Sequence, residues 1–269
     1  MVCYLVIGLE CFENLPKFEN LPKFGNLPER ELKTMRMKAA AKGLAGAACA
    51  AALAGCALLG GGDEAGFVPL FNGRDLSGWE GATDTYGVTP EGYLTCRQRD
   101  GIGESGARNL WTVRDYANFT IRFDVKLPQD ANNGLGIRTK PNGWCSREGM
   151  EIQLLDDYGP AYNGSNRLAN VHYTGAIYGV VGPALRVNGQ SYLKPAGEWN
   201  AVEVSANGPR ITVVLNGTTI VDADVSAYPT DGSYDGVRRP GLHNATGRIH
   251  WCGHGHGIYW RNIRIKELP

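Results

Sequence analysis

The sequence predicts an all-β fold, a sandwich of two antiparallel sheets, and three observations predict it. From Phe67 onward, short alternating or apolar runs are separated by Gly, Asn, Asp and Pro. None of these runs has convincing helical periodicity. Asn216 and Gly217 lie between two apolar runs and form the favoured dipeptide of a two-residue hairpin. Together these features indicate antiparallel strands packed face to face.

The clearest predicted strands alternate apolar and polar residues, so that one face of each strand lies against a core. They cover residues 119–127, 135–139, 150–155, 176–178, 201–205, 210–215 and 259–267. Between the third and fourth of them, residues 156–175 form a long loop rich in Gly, Asn and Tyr. Loops of this length inside a domain are usually functional or mobile.

The first 34 residues contain a short repeat, FENLPK, FENLPK and FGNLPE, at residues 12–29. A six-residue, Pro-rich repeat cannot bury a core. We therefore predict that residues 1–34 are disordered or precede the true start, and Met35 or Met37 is the better start.

Residues 35–55 have the pattern of a signal peptide. Arg36, Lys38 and Lys42 precede an apolar, small-residue stretch that is too short for an ordinary transmembrane span. Leu-Ala-Gly-Cys at 53–56 resembles the lipobox of bacterial lipoproteins, which implies lipidation of Cys56. A buried Ala/Gly helix is the alternative. Residues 56–66 would be a tether before a domain at 67–269, and Ala57 favours the outer membrane over other locations in the bacterial cell envelope and periplasm.

Net charge and cysteine content bear on the partners of the protein and on its disulfides. Lys plus Arg number 27, as do Asp plus Glu, so the formal net charge is zero. We expect no nucleic-acid partner, and membrane contact only through the lipid anchor. Beyond the leader, Cys96, Cys145 and Cys252 remain, and at most one internal disulfide can form. The spacing leaves the pair open, and no CxxC or CxxH motif indicates structural zinc.

The candidate site is centred on residues 149–157. Met150, Ile152 and Leu154 would point into the core, which leaves Glu151 and Gln153 together on the opposite face. Upstream, the alternation of residues 133–139 places Arg138 outward as well. If the two strands are neighbours, a cation and an anion share one surface.

Eight segments in order resemble the 3-keto-disaccharide hydrolase family over nearly all of residues 67–269. They are PLFNGRDLSGW at 69–79, NF at 118–119, NG at 133–134, EIQ at 151–153, GAIY at 175–178, PAGEWN at 195–200, LNG at 215–217 and RNIRIKEL at 261–268. The resemblance implies a concanavalin A/LamG-like jelly roll. It also implies a periplasmic or surface enzyme that cleaves sugars oxidised at C3.

Cleavage of a 3-keto sugar needs a base near C2, an electrophile for the developing oxyanion and a proton donor for the leaving oxygen. We assign catalytic roles to Glu151, His254 and Arg138. Arg138 would polarise the ketone, or form a salt bridge that only neutralises Glu151. His254 lies where the family has a His-Gly pair. One divalent metal ion is expected as a possible cofactor, with His254 and His256 at i and i+2 as one candidate pair of ligands.

Substrate binding is assigned to further polar and aromatic side chains. Gln153 would bond a sugar hydroxyl, and Tyr178 and Trp144 would stack on sugar CH faces. Asp156 is a weaker second carboxylate. His172, in the long loop, would cover the site.

Three functions compete on this sequence. The first is a hydrolase or lyase of oxidised 3-keto-glycosides or 3-keto-disaccharides. The chain has no dinucleotide fingerprint, so we expect no nucleotide cofactor, and a separate upstream sugar 3-dehydrogenase would have to produce the ketone. The second is a non-catalytic, lectin-like carbohydrate-binding module. The third is a classical glycosidase with two opposed carboxylates. Residues 238–245 and Cys252 depart from the family pattern. If Cys252 pairs with Cys145, the disulfide would pin the final strand to the loop near the site.

Overall fold

The computed structural model describes residues 64–96, 109–163, 168–184, 192–232, 234–254 and 256–269. The predicted segments 1–34 and 35–55, the lipidation site Cys56 and most of the predicted tether lie outside the described residues. The leader and the lipid anchor therefore stay predictions. Within the described ranges, none of the helices has the length and apolar character that a membrane crossing requires.

The described residues form two antiparallel sheets, which confirms the predicted sandwich. In chain order the strands are β1 Val68–Pro69, β2 Trp79–Gly81, β3 Tyr86–Val88, β4 Leu94–Cys96, β5 Leu110–Thr112, β6 Phe119–Lys126, β7 Asn132–Thr139, β8 Met150–Leu155, β9 Trp199–Asn207, β10 Arg210–Leu215, β11 Thr218–Asp224, β12 Arg248–Gly253 and β13 Tyr259–Glu267. A four-residue helix, α1 (Cys145–Glu148), separates β7 from β8. Two short 3-10 turns cover Asn170–His172 and Val225–Ala227.

The larger sheet has the order β11-β10-β9-β6-β13-β4-β3, with β1 paired to β13. The smaller sheet has the order β2-β5-β12-β7-β8. Its two strands β7 and β12 pair although more than a hundred residues separate them in the chain. The smaller sheet therefore brings α1, β8 and the end of β12 to one place.

The core lies between the sheets and centres on Trp251 of β12. Its ring lies 4.9 Å from that of Trp260 and 5.0 Å from that of Phe123, both on the larger sheet. Leu135 and Ile152 on the neighbouring strands are also fully buried. Each such side chain contributes about 1.5–3 kcal/mol by leaving water. This apolar layer fixes which face of the smaller sheet points outward.

The predicted strands match the structure closely except at residues 176–178. There the chain makes only isolated bridges, between Ile177 and Ile152 and between Ile177 and Val181. The hairpin prediction agrees with the structure, because Asn216 and Gly217 have φ angles of 50° and 82° between β10 and β11. Sequence reasoning missed β1 to β5, whose two or three residues are too few for an alternation to be detected, and it also missed the six-residue strand β12.

The strand β7 carries one extra residue opposite β12, and Arg138 is at this bulge. Thr139 pairs with Arg248 while Gly136 pairs with His250, so one more residue of β7 than of β12 lies between these pairs. Arg138 has a φ of 51°, in the left-handed region. A bulge shifts the alternation by one residue. Thr139, rather than Arg138, therefore faces the side on which Gly136 lies.

The structure thus contradicts the expectation that Arg138 shares a surface with the candidate carboxylate. Its side chain is buried, and its Nε donates to the Ala117 carbonyl at 2.8 Å. Nη1 donates to the Gly208 carbonyl at 2.7 Å, and Nη2 to Asn118 Oδ1 at 3.2 Å. The guanidinium therefore ties β7 to the chain before β6 and to the turn after β9.

Replacing Arg138 by lysine should lower the free energy of unfolding by about 2–4 kcal/mol, because a compact ammonium cannot reach three acceptors in different directions. Chemical denaturation would measure this loss. Arg210→Lys is the control, since Arg210 pairs with Asp222 in solvent and should change stability by less than about 1 kcal/mol. Equal losses in the two variants would contradict a structural role for Arg138.

Candidate functional site

A pocket of about 220 Å³ lies on the outer face of the smaller sheet, between α1 and the chain after β12. Of the sequence-predicted residues, it brings together Trp144, Glu151, Gln153, Tyr178 and His254. The volume is below the range of about 300–1,000 Å³ typical of drug-sized ligands, so one sugar ring fits this part of the pocket better than an oligosaccharide.

The pocket floor is built around two glycines of β7. In the strand register, Gly136 lies between Glu151 on β8 and His250 on β12. A Cβ at Gly136 would collide with the His250 ring, and one at Gly134 would collide with the Glu151 carboxylate. Because Gly134 and Gly136 have no side chains, the Glu151 and His250 side chains can pack directly against the backbone of β7.

Glu151 is buried, with 6% of its surface exposed. Its carboxylate accepts a hydrogen bond from the Cys145 thiol. The backbone carbonyl of Glu151 accepts a hydrogen bond from the backbone N–H of Tyr178 at 2.9 Å. Because a buried carboxylate is costly without polar partners, these contacts help to hold it at the pocket floor.

Gln153 lies beside it with its side chain buried. Its Nε2 donates to Asn132 Oδ1 at 3.4 Å, while its Oε1 has no hydrogen-bond partner among the described residues. The backbone N–H of Gln153 donates to the backbone carbonyl of Ala176 at 3.0 Å, and the backbone carbonyl of Gln153 accepts from the Gly175 N–H at 2.8 Å. These backbone bonds hold the GAIY segment against the edge of β8 and carry Tyr178 into the pocket lining.

Two of the predicted binding residues lie outside the lining. The Asp156 carboxylate accepts a hydrogen bond from the Asp130 amide at 2.9 Å and is buried. His172 lies behind the wall, with its ring 4.7 Å from the Tyr178 ring and its Nε2 3.7 Å from Asp235 Oδ2. Asp156 thus has a structural contact where a substrate contact was expected, and His172 supports the wall from outside.

The sequence reasoning missed an ion pair in the pocket wall, Asp235 with Arg239. Both Asp235 oxygens accept hydrogen bonds from the guanidinium, each at 2.6 Å. The bonds from Arg239 hold the pKa of Asp235 at about 2. Arg239 is itself buried and packs against Gly179, next to the GAIY segment. The only signal was that residues 238–245 depart from the family pattern.

The three cysteines of the described residues, Cys96, Cys145 and Cys252, are buried, and none of them forms a disulfide. The Cys252 thiol donates a hydrogen bond to Cys145 and lowers its pKa, but burial and the Glu151 carboxylate outweigh this and raise it to about 11. Burial raises the pKa of Cys252 as well. The two thiols are adjacent, and they form no disulfide in this structure, a pairing that the sequence left open.

The pocket mouth carries an exposed aromatic ring. Trp144 is 45% exposed, and the Arg147 guanidinium lies 4.7 Å from its ring centre. His254 lines the pocket at the end of β12. His256 lies outside the lining, where its Nδ1 accepts a hydrogen bond from the Asn132 amide at 3.4 Å. The site therefore combines a buried carboxylate, an imidazole, a cation and a flat apolar surface.

Comparisons with known proteins agree on one family. Residues 66–266 match the model of the 3-keto-alpha-glucoside-1,2-lyase-like domain. A 3-keto-disaccharide hydrolase of Bacteroides thetaiotaomicron is 21% identical over 243 residues, which are 77% of this chain and 80% of that protein.

Solved structures show the same fold. A crystal structure described as a glycosyl hydrolase of Parabacteroides distasonis superposes with a TM-score of 0.62 and 25% identity, and covers 75% of this chain and 99% of its own. A second crystal structure with the same description and organism has the same score and identity, and covers 76% and 94%.

Gly136→Ala should cost about 1–3 kcal/mol of unfolding free energy, because the added methyl collides with the His250 ring. Chemical denaturation would measure the change. Gly257→Ala is the control, because its Cβ would meet nothing nearer than the Cys96 carbonyl at 3.8 Å. A variant as stable as the control would contradict the close packing of the floor.

Asp235→Asn should lower stability by about 3 kcal/mol at neutral pH, because it leaves the buried Arg239 without its carboxylate. The folded-state pKa of Asp235 is depressed, so this stabilisation is complete above pH of about 4 and is lost as pH falls through about 2. The stability difference between wild type and variant should shrink over that interval. Asp231→Asn, in a solvent-exposed pair with Arg238, should show a small difference throughout.

Proposed function

Because the chain belongs to the 3-keto-alpha-glucoside-1,2-lyase-like family, we propose that it cleaves the glycosidic bond of 3-keto-glycosides and 3-keto-disaccharides. The observation that carries the proposal is the buried Glu151 carboxylate beside Gln153 at the pocket floor. A carboxylate in this environment is suited to remove a proton from carbon.

The chemistry follows from the ketone at C3, which acidifies the proton on C2. Glu151 would take that proton, and its electron pair would form an enediolate with the ketone. The C1–O bond would then break with its electrons leaving on the aglycone oxygen. The product is an unsaturated ketone, and addition of water across it would make the overall reaction a hydrolysis.

His254 is the proposed donor of the proton that the departing oxygen needs, because it supplies an imidazole at the pocket wall. Because Arg138 lies outside the pocket, we assign Arg147, which lines the pocket, as the cation that stabilises the developing oxyanion. Arg239 also lines it, but its guanidinium holds Asp235. This arrangement matches the three groups that the elimination requires.

Sugar recognition is proposed for three further side chains. The Gln153 Oε1, which lacks a partner among the described residues, can accept from a sugar hydroxyl after a rotation of its amide. Trp144 offers an exposed ring on which a sugar CH face can stack, and Tyr178 supplies a second ring in the wall.

We also propose the cellular setting. The lipobox at 53–56 supports a lipid-anchored protein of the bacterial envelope, facing the periplasm. Its substrate carries a ketone where an ordinary glycoside carries a hydroxyl. A separate sugar 3-dehydrogenase must therefore act before this protein.

Two alternatives make different demands on the pocket. A lectin-like module would use Trp144 and Gln153 and would have no need of a buried carboxylate. A classical glycosidase needs two opposed carboxylates, and the second one in the described lining is Asp235. Because Asp235 is held in its ion pair with Arg239, the elimination fits the pocket better.

Glu151→Gln should lower the rate of aglycone release by about 10²–10⁴-fold, because an amide cannot accept the C2 proton. The measurement is release of a chromogenic aglycone from a 3-keto-glucoside, with a protein-free blank for spontaneous elimination. Glu148→Gln is the matched control, because Glu148 is an exposed carboxylate on α1 and does not line the pocket.

Two outcomes would redirect the assignment. Wild-type protein that releases no aglycone but binds the unoxidised glucoside would support the lectin-like module. Full activity in the Glu151→Gln variant would remove Glu151 from the chemistry.

A further inference from the structure

Three side chains under the pocket form a cluster with the composition of a metal site. Cys145 on α1, and His250 and Cys252 on β12, each offer one ligand atom, and these atoms lie within 4.8 Å of one another. Cys145 and Cys252 line the pocket, and His250 lies below them, fully buried. Two soft sulfur ligands and an imidazole are the donors that zinc prefers.

The distances are close to those of a tetrahedral site. With bonds of about 2.3 Å to sulfur and about 2.0 Å to nitrogen, a tetrahedral ion holds a sulfur and a nitrogen ligand about 3.6 Å apart. Cys252 Sγ lies 3.9 Å from His250 Nδ1. The two thiols are in hydrogen-bonding contact with each other. All three ligand atoms lie within 4.8 Å of one another, so side-chain shifts of at most about 1 Å would complete the geometry.

The surroundings fix His250 in the form that binds a metal. Its Nε2 lies 3.2 Å from Thr139 Oγ1, and the Thr139 hydroxyl donates to the Ile137 carbonyl at 3.3 Å. The hydroxyl proton is thereby used, so Nε2 is the donor and Nδ1 keeps its lone pair towards Cys252. Trp111 stacks on the ring at 3.8 Å, which holds the plane of the imidazole in place.

We propose that Cys145, His250 and Cys252 bind one divalent metal ion, for which Zn²⁺ is the best fit, at the floor of the pocket. Three protein ligands leave a fourth position open, as in catalytic zinc sites. Both cysteines line the pocket together with Glu151, which contacts the Cys145 thiol, so the proposed ion would lie next to the pocket.

The metal site stands on this geometry alone, and only its role in the reaction rests on the proposed function. In that role, the ion would use its open position to bind the ketone and neighbouring hydroxyl oxygens of the sugar. It would then stabilise negative charge on these oxygens. A disulfide between the same two cysteines is the competing use of the cluster. The titration below distinguishes the two uses.

The test is a titration of the reduced, metal-free, full-length protein with Co²⁺ and with Zn²⁺. Cysteines outside the described residues are first replaced by serine, at Cys3, Cys11, Cys49 and Cys56. We expect one metal per chain, with the near-ultraviolet thiolate-to-cobalt band and the visible bands of tetrahedral Co²⁺.

Matched variants separate the cluster from other thiols. Cys145→Ser and Cys252→Ser should each weaken binding by more than about 100-fold and remove the thiolate band, because a ligand matters more than its supporting contacts. Thr139→Val, which removes the partner of His250, should weaken binding by about 10–100-fold. Cys96→Ser should bind as the background protein does, because Cys96 is buried in the other sheet.

Folding is followed in the same samples. Zn²⁺ should raise the unfolding temperature of the background protein and of Cys96→Ser, but not that of Cys145→Ser. The proposal is overturned if the reduced protein gives no thiolate-to-cobalt band, or if Cys145→Ser binds as tightly as Cys96→Ser. Peptide mapping of the unreduced protein would then show whether Cys145 and Cys252 form a disulfide.

Aglycone release in these samples distinguishes the two proposals. Metal binding without release from a 3-keto-glucoside leaves the metal site standing and removes the proposed function. Release that persists in metal-free Cys145→Ser leaves the function standing and removes the metal from the reaction.

Discussion

The site depends on the bare backbone of one strand. Because Gly134 and Gly136 of β7 carry no side chains, Glu151 from one neighbour and His250 from the other can lie over the same strand. Side chains on neighbouring strands normally stand upright and about 5 Å apart. Here the Glu151 carboxylate and the His250 imidazole instead lie over β7 itself. The Cys252 thiol lies 3.9 Å from His250 Nδ1, so the three groups converge in the pocket floor.

Burial then sets the charge state of the cluster next to Glu151. The wall pairs its carboxylate, Asp235, with Arg239. In the floor, the Glu151 carboxylate lies against the Cys145 thiol, whose pKa is about 11 because burial and that carboxylate outweigh the hydrogen bond from Cys252. Burial also raises the pKa of the Cys252 thiol and lowers that of the His250 imidazole, so both groups are uncharged at neutral pH.

The sequence predicted the parts of the site that depend on local periodicity. Alternation along β8 was sufficient to put Glu151 and Gln153 on one face, because that strand is regular. It failed at Arg138, because a one-residue bulge has no signature in a period of two. Cys145 and Cys252 meet only through the pairing of β7 with β12, a contact between distant segments that no local pattern encodes. The Asp235–Arg239 pair is local, but it was missed because it lies in a loop that has no periodic pattern.

Charge balance explains why a buried base suits this reaction. In the proposed reaction, Glu151 would take the C2 proton, its negative charge would move to the enediolate, and the net charge of the pocket would stay the same. No ion would have to enter or leave a region of low dielectric, so the step would avoid a large desolvation cost. The enediolate would then be favoured by a positive group that lies nearer to the sugar oxygens than Glu151 does. An ion bound by the proposed Cys145, His250 and Cys252 site would be one such group, and Arg147, which lines the pocket, would be another.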